Sequence, residues 1–543
     1  MADEGYVDWR GNAVDERRHG GIRATLFLYV LFMLRSCPSS ANFSLVAYFH
    51  VTLHLDIVTS STVIAYLVGT VMIFAALMNF ISDAHLKRTT AIFVFGPCVV
   101  LGYMLLALQA EVPSLRPPVC AINREPNNCE PAQGWNLTLL CLSLFIFAVG
   151  EGCMRACIPS LVGDQFCDDD PKKSLRSIFL SGLKFANSLG ALIGLVFLVW
   201  LENNLGWNIG FIICALIVIL GLLVAASGIP FYRVQRPSGS PLTRAFKVLV
   251  TSSKKRQACV VDAMELQETG RADCIQKTST NQADEETKAI IRMLPIFISC
   301  LLAYLPFTLL MTLTIQVGST MDRGAGMIKI PSASLIAIPT AFHMLMQPCY
   351  SRILALLPRR ITGGHGHRIT PLQRISVGLV CGTVAACVAM LVEKRRLKIA
   401  EQHGLTSTET SVPMSVFWLV IQFFLLSIMD MASFGGLIEF IKSEAPPRMK
   451  PIAPAVQSFV AGLAAWSACA FVQVVNRATR HGDGGRRGWL DGANFNRTRL
   501  DRFFLLLAAF ELVALINYTF WARRYAIKQE NRDDGSDDSN SGI

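Results

Sequence analysis

Two full charges stand four residues apart inside an apolar run: Glu151 and Arg155, within the segment Phe145 to Leu161 of a hydrophobic stretch that begins near Leu137. At that spacing they share one helix face and can pair. A charged side chain at the centre of a bilayer costs at least ~2.5–3.5 kcal/mol on insertion scales, so it is held by a partner or turned toward a polar cavity. Two readings are open: a structural pair that locks two helices together, or the lining of a central, solvent-reachable site. The second is our working expectation. Bond-making chemistry is poorly supplied elsewhere. His365 and His367 lie in a loop without further metal ligands nearby. Gly482 to Gly488 lacks the Gly-Lys-Ser/Thr of a phosphate-binding loop. The ionisable groups are scattered over many apolar runs, as in transporters, rather than clustered as in an enzyme. We therefore expect no enzyme activity, no cofactor and no metal. The alternative to a carrier is a transport-inactive sensor or scaffold.

The elements that must position these charges are membrane helices. The chain is 52% hydrophobic and 16% charged, with 32 Phe, the composition of a polytopic membrane protein. Apolar runs long enough to cross a ~30 Å hydrocarbon core as a helix recur at 22–50, 58–81, 89–110, 137–161, 178–201 and 208–231, then at 287–317, 331–357, 371–393, 413–440, 452–475 and 500–522. The expected organisation is a short cytoplasmic tail over 1–21, an N-terminal six-helix bundle over 22–232, a cytoplasmic linker over 233–286, a C-terminal six-helix bundle over 287–524 and a disordered tail over 525–543. No cleavable signal peptide is evident, because the start is polar and the first apolar run is too long. Six plus six is the arrangement of the major facilitator fold, with substrate held between the halves.

Basic residues set the orientation. Lys87-Arg88, Lys172-Lys173-Arg176, the linker cluster Lys254-Lys255-Arg256, Arg359-Arg360-Arg368 and Lys442-Arg448-Lys450 all fall on one side, which the positive-inside rule assigns to the cytoplasm, with both termini. Lys394-Arg395-Arg396-Lys398 and the stretch from Arg477 to Arg499 disagree. The net charge of +11 reflects these loops and carries no implication of nucleic acid. Most of the sixteen Cys are small hydrophobes within apolar runs. Cys120 and Cys129 lie in a polar loop expected outside, where they could form a disulfide. Asn136-Leu-Thr138 and Asn496-Arg-Thr498 match the glycosylation acceptor pattern.

Several stretches resemble the plant nitrate and peptide transporter family, a branch of the proton-dependent oligopeptide transporters in the major facilitator superfamily. These are Val7 to Asn12 (VDWRGN), Gly163 to Phe166 (GDQF), Val199 to Trp207, Pro230 to Arg244, Ile291 to Pro295, Pro371 to Arg374 and Ser415 to Trp418. They follow in matching order over nearly the whole chain. The resemblance implies an all-α integral membrane protein of twelve helices in two bundles. It implies alternating access around a central cavity, and uptake of nitrate, short peptides or other small metabolites without chemical change. It implies as partners a small solute, protons and the lipid bilayer, and a protein that works as a monomer. The expected location is the plasma membrane ahead of the vacuolar membrane.

The departures from the family pattern are the informative part. Where the family's first helix carries Glu-x-x-Glu-Arg for proton coupling, this chain has Leu31 to Arg35 (LFMLR), with both glutamates gone and Arg35 kept. A buried Glu can load and release a proton as its surroundings change; Leu cannot. The family's fourth-helix lysine corresponds to Arg155, which stays protonated. Glu151 stands where a small or neutral residue is usual, either compensating for the lost acids or serving Arg155 as a structural partner. The fifth-helix aromatic corresponds to Lys184, ahead of Asn187. Lys184 either adds a cation to the cavity or snorkels to the interface. Arg35, Arg155 and Lys184 against one Glu151 imply a positive wall that favours anions or carboxylates. In the C-terminal half the tenth-helix acid is kept as Asp430, and Glu439 matches a second acid further along, expected to take part in gating. Phe307 replaces a histidine that binds nitrate in dual-affinity members, while Thr312 and Gln316 keep the polar face. Asp83, Lys87 and Arg88 resemble the superfamily's gating motif. His343 and Glu511 match no family motif and are expected to be helix-packing groups. Proton coupling is expected to be weakened or lost. The alternative is a symporter that still couples through Asp430.

Overall fold

The computed structural model describes residues 6–15, 18–118, 132–166, 173–235, 272–325, 328–347, 369–405, 411–446, 450–481, 488–490, 496 and 498–540. Its body is helical. Eleven helices among these residues are long and apolar enough to cross a membrane. They are α1 Gly21–Val51, α2 Val58–Ala84, α3 Arg88–Glu111, α4 Trp135–Asp164, α5 Phe179–Leu205, α6 Trp207–Ser227, α7 Ile291–Ser319, α9 Pro371–Gln402, α10 Val416–Glu444, α11 Lys450–Arg480 and α12 Leu500–Ile527. The shorter apolar helix α8, Ala333–Gln347, falls where the eighth span is expected. With no water in the hydrocarbon, every backbone N–H and C=O must be met inside the segment, and a helix does that.

Two hydrophobic cores organise these helices. One gathers Ala24, Leu31, Phe49, Tyr103, Phe147, Ile158, Phe211 and their neighbours from α1 to α6. The other gathers Met293, Tyr304, Leu379, Phe423, Leu437, Phe503 and Tyr518 from α7 to α12. The halves meet along α2 and α11. There Gly69 and Gly462 face each other so closely that a Cβ on Gly462 would lie 2.9 Å from the Gly69 carbonyl oxygen and 3.0 Å from the Ile73 backbone nitrogen. Trp466 Nε1 donates to Thr70 Oγ1 at 3.3 Å beside this crossing. On the other flank Ser334 Oγ, at the start of α8, donates to the Leu195 carbonyl at 2.7 Å. That carbonyl lies in a π-helical turn, Gly194–Leu198. A second π-turn, Asp430–Phe434, interrupts α10.

Family-like motifs far apart in sequence converge at one end of the N-terminal half. Tyr6–Val7 pairs antiparallel with Val234–Gln235, and the Arg233 guanidinium stacks on the Tyr6 ring at 3.8 Å. Gln165 clamps this turn, donating to the Arg233 carbonyl at 2.9 Å and accepting from its backbone N–H at 3.0 Å. The N-terminal tail, the exit of α4 and the exit of α6 thus form one small cap.

Several expectations change. The seventh helix begins earlier, at Ala272, inside the expected linker. The last helix runs to Asn540, through residues expected to be a disordered tail. Extending an existing helix needs no new nucleus, so polar residues can continue it. The basic run at the end of α9 does not behave as a topology signal. Arg396 is fully buried, paired with Glu393 at 2.7 and 2.8 Å, and donates to Thr320 Oγ1 at 3.1 Å and Asn496 Oδ1 at 2.5 Å. Arg395 stacks on Trp418 at 4.6 Å. Asn496 is itself buried and donates to the Leu405 carbonyl at 3.1 Å, so its amide is committed on both sides and is no sugar acceptor in this fold. Cys120, Cys129, His365 and His367 lie outside the described residues.

Candidate functional site

Glu151 is 2% exposed and pairs with Arg35 of α1, itself 3% exposed, rather than with Arg155 on its own helix. Ser39 Oγ donates to the same Glu151 oxygen at 2.8 Å, and Arg35 Nη2 donates to Asn187 Oδ1 of α5 at 3.0 Å. Ser36 Oγ holds the Asn187 carbonyl at 2.5 Å. The Arg35 guanidinium also lies over the Phe32 ring at 4.7 Å. Three helices are stapled by one charge pair. The choice of partner follows from burial: a carboxylate goes to the cation that cannot reach water, since leaving that cation alone costs most. Two atoms of the pair, Arg35 Nε and Glu151 Oε2, have no hydrogen-bond partner among the described residues.

Arg155 is left free of that duty. Its side chain is accessible although it lies deep in the molecule, and it forms no hydrogen bond or ion pair among the described residues. It is in electrostatic reach of Arg35, Glu151 and, from the other half, Asp430. Lys184 of α5 is likewise accessible and unpaired among the described residues, in electrostatic reach of Arg374 and Asp430. Both cations are thus within electrostatic reach of an acid of the opposite half.

Asp430 opens the π-turn of α10 and is 42% exposed. His343 of α8 approaches it at 3.7 Å, Nε2 to Oδ2. Sequence reasoning left His343 as a packing group. The signal that finds it is its ionisable ring inside an apolar run, which by default marks a pathway. Beneath Asp430, Phe434 packs on Tyr304 at 4.2 Å and on Phe307 at 5.6 Å, so Phe307 belongs to an aromatic floor. Thr312 is buried and bonds back to the Thr308 and Leu309 carbonyls at 3.0 and 3.3 Å. Gln316 is also buried, further along α7. Neither joins the charged set.

The residues expected to gate form a separate cluster near the tail cap. Arg88, at the start of α3, donates to Asp83 at 2.6 Å and with its other terminal nitrogen to Asp164 at the end of α4. Asp164 is the acid of the GDQF stretch, so two family-like motifs share one arginine. Glu439 takes Arg374 at the start of α9.

Comparison with known proteins places this geometry. The model of the family described as PTR2, POT family, matches residues 89–490. The chain is 33% identical to Protein NRT1/PTR FAMILY 4.5 of Arabidopsis thaliana, over 96% of this chain and 96% of that protein. It is 31% identical to Protein NRT1/PTR FAMILY 4.6 of the same organism, over 96% and 97%. Among solved structures it superposes on an auto-inhibited POT family peptide transporter with TM-score 0.68 at 18% identity, covering 93% of this chain and 97% of that one. A POT family transporter in complex with 5-aminolevulinic acid gives TM-score 0.63 at 14% identity, covering 92% and 96%. The twelve-helix major facilitator architecture, the multi-pass membrane character and the transporter class, as opposed to an enzyme, follow together: this chain belongs to the POT family of transporters.

Proposed function

We propose that this transporter moves small anionic or zwitterionic solutes by alternating access, binding them between Arg155 and Lys184 on one half and Asp430 on the other. The observation that carries the reading is the contrast between two kinds of cation. Arg35 is matched by Glu151 and buried, whereas Arg155 and Lys184 are accessible and hold no hydrogen bond or ion pair among the described residues. Cations kept unpaired in a low-dielectric cleft attract a carboxylate or an inorganic anion strongly. Asp430 supplies the opposite pole, which suits an amino group on the same solute. Arg88 with Asp83 and Asp164 serves as the gate, and Glu439 with Arg374 as its counterpart in the second half.

The N-terminal half no longer supplies a coupling proton. Leu31 and Leu34 stand where the family's coupling acids would be, and Glu151 is held by an arginine and a hydroxyl. Proton dependence is accordingly weakened and rests on the C-terminal half, a reading favoured by His343 at 3.7 Å from Asp430. We propose the plasma membrane and a functional monomer, as expected of the family resemblance, and both termini cytoplasmic on the strength of the basic loops. The test is an untargeted metabolite uptake screen in oocytes at two external pH values, run beside Arg155→Ala. Uptake of an acidic or zwitterionic solute that the variant loses supports the reading. Correctly folded Arg155→Ala with near-normal flux shows that the residue is structural.

A further inference from the structure

One acid of the C-terminal half is used by nothing described so far. Glu511 lies on α12, 1% exposed, and neither carboxylate oxygen has a hydrogen-bond partner among the described residues. No hydrogen bond or ion pair among the described residues reaches it from α7, α9 or α10. Its surroundings are Gly382 of α9, whose Cβ, if present, would lie 2.9 Å from Glu511 Oε1, and the thioether of Met429, which meets the same point. An ionised carboxylate cannot be held there without a partner, and such a group keeps its proton instead.

Met429 immediately precedes the π-turn Asp430–Phe434. The Ser433 hydroxyl within that turn is also buried and without a partner, packed where Gly378 of α9 leaves room for it. Single π-turns in helices recur at functional sites. This one carries Asp430, which His343 of α8 approaches at 3.7 Å and which is in electrostatic reach of Arg155 of α4, Lys184 of α5 and Tyr304 of α7. On its packed side it adjoins Glu511 through Met429. We infer that Glu511 is a proton-binding site of the C-terminal half, linked through the α10 π-turn to Asp430 in the cleft. When the turn shifts and water reaches the acid, the Glu511 O–H bond breaks and the proton passes to that water and on to the Asp430 carboxylate. The reverse movement reprotonates Glu511. The site itself stands on the packing alone, and its coupling to flux rests on the transport reading above.

The experiment uses the full chain in lipid. An infrared difference spectrum between wild type and Glu511→Gln at neutral pH is expected to show loss of one protonated-carboxyl carbonyl band. An unchanged spectrum overturns the site. In vesicles, the ratio of uptake at acidic to neutral external pH is expected to fall to about one in Glu511→Gln, the substitution that removes the acid without changing its shape. Glu511→Asp should keep a pH dependence at a displaced midpoint. A Glu511→Gln protein that retains the wild-type ratio overturns the coupling. Should that variant not fold, Gly382→Ala, whose methyl meets Oε1, must shift the wild-type band, and an unshifted band again overturns the site. Wild type with no flux of any solute defeats the transport reading and the coupling together, while the band still decides the site.

Discussion

Arg35 and Glu151 lie 116 residues apart in sequence and form one buried ion pair between α1 and α4. The acid that the first helix lacks stands beside the retained arginine, but it comes from a different helix. Breaking a buried pair by removing one partner costs about 3–5 kcal/mol, because the other charge is stranded, whereas replacing both with well-packed apolar groups is often neutral or stabilising. Glu151→Gln should therefore lower thermal stability sharply, and Arg35→Met with Glu151→Leu should recover most of the loss. Unfolding temperatures of the two purified variants check this. A double variant as unstable as the single one means that the pair contributes more than charge neutralisation.

On the proposed reading, Asp430 repels an anion held by Arg155 and Lys184, which lie in its electrostatic reach. At several ångströms and an intermediate dielectric, removing its charge changes an anion's binding free energy by about 1 kcal/mol, roughly five-fold in affinity. Asp430→Asn should lower KM for a purely anionic solute and raise it for a zwitterion, whose amino group loses its partner. Uptake of one solute of each kind, measured side by side, gives the answer. Equal effects on both indicate that Asp430 orders the helix and does not read the solute.

The spans were legible because hydrocarbon thickness imposes a run length that any apolar helix must meet. The pairing was not, because Glu151 and Arg155 at i, i+4 satisfy a local rule, while the partner that matters is fixed by which cation the tertiary fold buries. The same blindness produced the misleading topology signal in α9. Arg396 counts as a loop cation in sequence, yet with Glu393, Thr320 and Asn496 it makes an internal network. Arg88 and Asp83 were readable as a motif, and Asp164 was quoted within another. Only the fold shows that they share an arginine. Phe307, Thr312 and Gln316 matched a family face but stand in the aromatic floor and the helix-packing layer.

That shared arginine makes a prediction about gating. Arg88 is anchored twice, so Asp83→Asn and Asp164→Asn should each weaken the clamp, by about 1–2 kcal/mol for a charge-assisted bond. The double variant should cost more than the sum, since each single variant also relieves the repulsion between the two acids and the double variant strands Arg88. Labelling of a cysteine introduced on the cleft wall at that end reports how often the gate opens. Strict additivity there would mean that the two acids serve Arg88 independently.

The crossing of Gly69 and Gly462 brings the backbones of the two halves together along α2 and α11. At Gly462 an added methyl meets the Ile73 side chain at 2.8 Å and then backbone, at 2.9 Å from the Gly69 oxygen and 3.0 Å from the Ile73 nitrogen, and backbone cannot swing aside as a side chain can. At Gly69 it meets the edge of Trp466, which can rotate at some cost, and a backbone atom, the Gly462 oxygen, only at 3.1 Å. Gly462→Ala should therefore be the more damaging, costing on the order of 1–3 kcal/mol as an overpacked contact, and it should reduce transport because α2 and α11 can no longer slide past one another. Flux and unfolding temperature, measured together, separate the two consequences. A Gly462→Ala protein that loses flux but keeps its stability locates the seam on the path of motion. One that loses both equally reduces it to a packing contact.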